Sequence, residues 1–236
     1  MKRIDDLLAH LFDTPTHPLY AQVESHLRDS RAYVQFAETY RDKIRKKLRL
    51  LPEGESAFNL GAELATAYAL LQEPRFSVEY EKYTKQRGPD FTITYRTHTP
   101  FNVEVTRIRS TEAGPPAIPD SPAIDKFIKV ICEKLGQMPT GVMNVLLMVI
   151  ETPEMTQADL GQATLRLKQL ADQKAEDYFK ARGFADAADF LRQYRNLSAI
   201  VLHRPPATPN HLWHNSIARH PLLKELHPLL QRLHGS

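Results

Sequence analysis

Apolar and polar positions change period several times along the chain, and each change marks an element. Residues 4–12 and then 19–50 carry apolar side chains at helical spacing, until Pro52 and Gly54 interrupt the pattern. A further helix is expected over 59–71, where Leu60, Leu64, Ala67, Tyr68 and Leu71 share one face. Strands are expected over 76–83, 91–96 and 101–109. In the last of these, Val103 and Val105 alternate with Glu104 and Thr106, so the two pairs face opposite sides of a sheet. Ser121 followed by Pro122 reads as the N-cap and first position of a helix running to about residue 138. Its apolar stripe is Ile124, Phe127, Ile128, Ile131, Leu135 and Met138. Lys134 falls on the flank of that stripe with Gln137 on the same side, and Lys126 and Lys129 lie farther out. Residues 143–150 are apolar without interruption, the pattern of a strand buried on both faces. Helices over 156–182 and 185–194, an edge strand over 197–203 and an amphipathic tail helix with Leu222, Leu223, Leu226 and Leu229 inward complete the reading.

These elements divide the chain into an N-terminal helical extension (1–54), a core with a helical insertion (55–204) and a C-terminal helical tail (205–236). With 236 residues and 42% hydrophobic content, one substantial core can be buried. The single cysteine, Cys132, excludes an internal disulfide framework, and its place on the apolar side of a helix suits a small core residue better than a nucleophile. Beyond Lys2 and Arg3 the segment is interrupted by Asp5 and Asp6, and no long apolar run exists. Neither a signal peptide nor a membrane span is therefore expected, and a cytoplasmic location is.

A net charge of +3 is compatible with a polyanionic partner but too mild to establish one. Arg41, Lys43, Arg45, Lys46, Lys47 and Arg49 are concentrated near the end of the long helix, where they suit either phosphate contacts or a solvated face that complements the helix terminus. The pair His211 and His214 lacks companion cysteines for a zinc site, and Gly88 before Pro89 is a turn residue rather than part of a phosphate-binding loop. Residues 111–121, rich in proline, read as a stiff loop, either bordering a groove or acting as a spacer.

The candidate chemistry lies between Pro89-Asp90 and Thr106. If the strands on either side of His98 form a hairpin, Asp90 and Glu104 come close enough to share a hard divalent cation, which takes oxygen ligands. The alternative for such a pair is an edge hairpin with solvated acids. The run helix, three strands, helix, strand over about 55–151 resembles the PD-(D/E)XK nuclease superfamily. That resemblance implies a restriction endonuclease-like αβββαβ core with a mixed central sheet, with Asp90 and Glu104 at the metal positions and Glu63 as the accessory acid. It further implies magnesium or manganese as cofactor and nucleic acid, DNA first, as substrate. Members usually carry a lysine two residues after the strand acid, where this chain has Thr106, whose hydroxyl can hold a water but supplies no positive charge. Lys134 ranks first as the displaced basic residue, ahead of Lys82 or Lys85, and Arg107 points to the wrong face. Two functions fit this pattern: a metal-dependent nuclease, or a fold that has lost turnover and serves as a nucleic-acid-binding, protein-interaction or structural module. A homodimer is compatible with either.

Overall fold

The chain lays its strands side by side in the order in which it makes them. They are β1 (Phe76–Tyr80), β2 (Phe91–Tyr95), β3 (Thr99–Ile108), β4 (Met143–Ile150), β5 (Ala199–Arg204) and β6 (Ala207–His214). The computed structural model describes residues 2–51, 54–83, 87–109, 121–152, 154–205 and 207–233. β1, β2 and β3 form an antiparallel meander, β3, β4 and β5 run parallel, and β6 returns antiparallel to β5. The result is an α/β fold with a six-stranded mixed open sheet flanked by helices.

One helical layer is formed by α1 (Lys2–Leu11), α2 (Tyr20–Asp29), α3 (Arg31–Thr39), α4 (Arg41–Leu50) and α5 (Gly54–Leu71). Their apolar faces share a core with Phe101, Val103 and Val105 of β3 and Val145, Leu147 and Val149 of β4. The other layer holds α6 (Pro122–Leu135), α7 (Gln157–Asp172), α8 (Glu176–Lys180) and α9 (Ala187–Tyr194), packed on Leu146, Met148, Ile200 and Leu202. Strand alternation therefore sorts each side chain of β3 to one layer or the other. All eight residues of β4 are buried, as its apolar run requires.

Register is pinned by a row of buried amides. Thr92 Oγ1 donates to Asn102 Oδ1 at 2.9 Å, and Asn102 Nδ2 donates to Asn144 Oδ1 at 2.9 Å. Ser198 Oγ then accepts from Asn144 N–H at 2.9 Å, just before β5. The row crosses β2, β3 and β4 at paired positions.

Several elements differ from expectation. The single helix expected over 19–50 is three, because Ser30 is extended (φ −127°) and its Oγ accepts from Tyr33 N–H, while Tyr40 breaks the next turn. The helix expected over 156–182 stops at α7, and Lys174 takes a left-handed conformation (φ +53°) before α8. The strand over 197–203 is not an edge, because β6 covers it. What read as a helical tail from 205 thus begins as a strand, and among the described residues it is followed by a 3₁₀ turn (Lys224–Leu226) and α10 (His227–Gln231). Asn210 of β6 holds that tail by donating to the carbonyls of Leu230 and Leu233, and Leu223 points to solvent rather than inward. The proline-rich loop lies outside the described residues apart from Ser121, whose Oγ accepts from Ala123 N–H as an N-cap.

In the N-terminal layer His26 is 1% exposed and stacks on Tyr68 at 4.2 Å between ring centroids. Burial pushes its pKa down to about 4, against the pull of Asp29. The folded chain therefore binds this proton less readily than the unfolded chain. The associated stability is present above about pH 6.5 and is lost as pH falls toward 4. Thermal melts of wild type and His26→Phe between pH 7 and pH 4 should show the wild type losing roughly 2 kcal/mol more than the variant, after allowance for solvent screening.

Candidate functional site

The β2–β3 hairpin places Phe91 opposite Val103, so Asp90, one residue earlier, falls beside Glu104. Backbone and side chain both fix Asp90. Its carbonyl accepts from Glu81 N–H at 2.7 Å, and its Oδ2 accepts from Val105 N–H at 2.8 Å, fifteen residues along the chain. Glu104 is 2% exposed and faces the layer that contains α6. There the Nζ of Lys134 donates to Glu104 Oε1 at 2.6 Å, while Glu104 Oε2 is buried with no hydrogen-bond partner among the described residues. Thr106 lies two residues on, along the same face of β3, and is partly exposed.

Glu63 reaches the site from α5. Its Oε2 accepts from Tyr80 Oη at 2.6 Å and from Lys47 Nζ at 2.7 Å. Lys47 also donates to Tyr80 Oη at 2.8 Å and pairs with Glu81 Oε1 at 2.6 Å. Glu81, at φ +45°, holds a left-handed backbone that a glutamate adopts only under constraint from its neighbours. Lys43, one turn earlier on α4, donates to the carbonyls of Tyr80 and Glu81.

The acids repel one another in an enclosed space. Burial, and then the charges of Glu63 and Glu104, push the Asp90 pKa well above the usual carboxylate range, against the Val105 N–H and Lys134. Glu104 is raised for the same first reason, although Lys134 works against the rise. Tyr80 is raised by burial and by the negative charges of Glu63, Glu81 and Asp90, so its phenol stays protonated and available as a donor. For Glu81, burial is outweighed by Lys47 and Lys43, and its pKa is lowered. Among the described residues, no group of three or more His, Cys, Asp or Glu side chains is placed to hold a metal ion.

Glu63, Asp90, Glu104 and Lys134 thus fall within one electrostatic cluster, with Thr106 on its margin. Other candidates for the displaced base do not join it. The Arg107 side chain lies on the opposite face, bonded to Glu55 and Glu151, and Lys82 pairs with Glu79 at 3.2 Å. Lys85 lies outside the described residues. Lys129 is exposed beside Glu133. Cys132 is buried, with its thiol pushed up to about 12 by burial, as suits a core residue.

The basic run of α4 divides by helical phase. Lys43 and Lys47 turn inward to Glu81 and Glu63, whereas Arg45 and Arg49 pair with Asp13. Lys47, Tyr80 and Glu81 are therefore site neighbours that the sequence reading did not single out. The run gave no local signal that separates Lys43 and Lys47 from Arg45 and Arg49, which have the same i, i+4 spacing. No family model, curated protein or solved structure matches the chain.

Removal of Lys134 leaves Glu104 buried with no cation beside it. Lys134→Met should lower stability by about 3 kcal/mol at neutral pH. The loss should shrink as pH falls and Glu104 takes up a proton. Addition of Glu104→Gln should restore most of it. Urea unfolding of the two single variants and the double variant measures this coupling.

Proposed function

We propose that the chain is a metal-dependent phosphodiesterase of the PD-(D/E)XK, restriction endonuclease-like kind, acting on nucleic acid with DNA as the expected substrate. The observation that carries the reading is the Lys134 ammonium, 2.6 Å from a strand acid thirty residues away. A lysine that would ordinarily follow the strand acid is supplied instead from α6, and it reaches the same carboxylate. The element order α5, β1, β2, β3, α6, β4 supports the same reading.

Asp90 and Glu104 fit a hard divalent ion. Glu104 Oε2 is a buried acceptor with no partner among the described residues, and Asp90 is held in place through Val105 N–H. Magnesium is commonly held by one or two carboxylates together with waters and substrate phosphate, so two protein ligands suffice, with Glu63 acting through water. Such an ion, when bound, lowers the pKa of its water and stabilises charge on the phosphate. The remaining work falls to the chain itself. Thr106 offers a hydroxyl to a water on the face of Glu104, and Lys134 brings the positive charge that threonine lacks. A second reading, a fold that binds without turnover, is favoured only by Thr106 itself.

Plasmid and single-stranded DNA cleavage with magnesium or manganese should fall by about a hundredfold or more in Asp90→Ala and in Glu104→Ala. Unchanged activity in either variant would remove the mechanism. Because the pKa of Asp90 is raised, a metal ion should compete with protons for the site, so binding should release protons and weaken as pH is lowered. Calorimetric titration with manganese in buffers of different ionisation enthalpy measures that release. Manganese binding without cleavage would favour the second reading.

A further inference from the structure

The N-terminal helices reach the acid cluster through one side chain. Lys47 leaves α4 and directs its three ammonium protons to Glu63 Oε2, Tyr80 Oη and Glu81 Oε1, at 2.7, 2.8 and 2.6 Å. Tyr80, 1% exposed, donates to the same Glu63 oxygen at 2.6 Å. Both donors to Glu63 thus meet at Oε2. Glu81 keeps a left-handed backbone at this junction, and its N–H holds the Asp90 carbonyl. Lys47 is therefore joined to Glu63 directly and to Asp90 through Glu81.

With its donors already engaged, this ammonium is poorly suited to binding a phosphate. It is well suited to fixing a carboxylate and offsetting its charge. We infer that Lys47 is a positioning residue that holds Glu63 by one oxygen, turns the other toward the Asp90–Glu104 pair, and tempers the attraction of the three acids for a divalent ion. The inference rests on the metal-dependent reading above and makes the helical extension a working part of the site.

The two effects have opposite signs, which separates this role from simple structural support. Loss of the Lys47 charge should tighten manganese binding about three- to tenfold, since a positive charge bonded to Glu63 has gone. Cleavage should at the same time slow by about tenfold or more, since Glu63 is no longer fixed. Manganese affinity of the full chain, read by electron paramagnetic resonance for wild type, Lys47→Met and Lys47→Arg, tests the first effect. DNA cleavage by the same proteins tests the second. Lys47→Arg, which keeps the charge, should return manganese affinity toward the wild-type value.

If Lys47→Met does not fold, Tyr80→Phe removes the other donor to Oε2 and keeps the ring, and slower cleavage without weaker manganese binding is expected of it. Unchanged or weaker manganese binding in Lys47→Met, or in its absence weaker binding or unchanged cleavage in Tyr80→Phe, overturns the inference. Glu104→Gln serves as the control on the parent reading. If wild type binds no manganese, or if Glu104→Gln binds it equally well, the metal-dependent reading fails and this inference fails with it. If Glu104→Gln abolishes binding while Lys47→Met changes nothing, only the role of Lys47 is lost.

Discussion

An ionised carboxylate that is 2% exposed in the middle of a mixed sheet needs a cation beside it, and for Glu104 that cation is Lys134. Much of the surrounding architecture depends on this requirement. The buried stripe of α6, through Phe127, Ile128, Ile131 and Leu135, fixes the phase of the helix, and that phase leaves Lys134 at the boundary, 24% exposed. The lysine stem can then lie along apolar surface while its ammonium reaches back to the strand. A crossover helix that in other sheets only covers a face here also neutralises the face it covers.

A second balance is struck on the other side of the sheet. Lys47 and Lys43 do for Glu63 and Glu81 what Lys134 does for Glu104, and both come from α4. Asp90 lies between the two arrangements, held by Val105 N–H and Glu81 N–H rather than by any ammonium among the described residues. The carboxylate with no ammonium bonded to it is thus pushed well above the usual range, toward its protonated form. Such crowding of acids lowers the stability of the resting fold.

Much of the core was legible from patterning, because the relevant signals are local. Alternation around Glu104, the apolar run of β4 and the Ser121-Pro122 cap each act over a few residues, and each element formed where those residues lie. The pairing of Asp90 with Glu104 was readable from hairpin geometry, and the reach of Lys134 from helical phase. What escaped detection depends on contacts between distant segments. Ser30 and Tyr40 break a helix whose apolar period continues through them, because the bends let α2, α3 and α4 share a core with α5. β6 looked like the start of a helical tail until β5 offered it an edge to pair with. Lys47 was hidden in a run of like charges, where only the position of α5 and β1 reveals that it turns inward.

The amide row that crosses β2, β3 and β4 has a consequence beyond stability. Adjacent residues of β3 face different layers, so a shift of one position against β4 would exchange Glu104 for Val103 or Val105 and carry the carboxylate into the aliphatic layer beneath α5. Apolar strands such as β4 resist that error weakly, because valine, leucine and methionine are nearly interchangeable partners. Asn102 against Asn144 is not interchangeable: out of step, the buried Asn102 Nδ2 and Asn144 Oδ1 would lose the bond they make to each other. The pair acts as a molecular spell-check, letting the sheet close only in the alignment that points Glu104 toward Lys134.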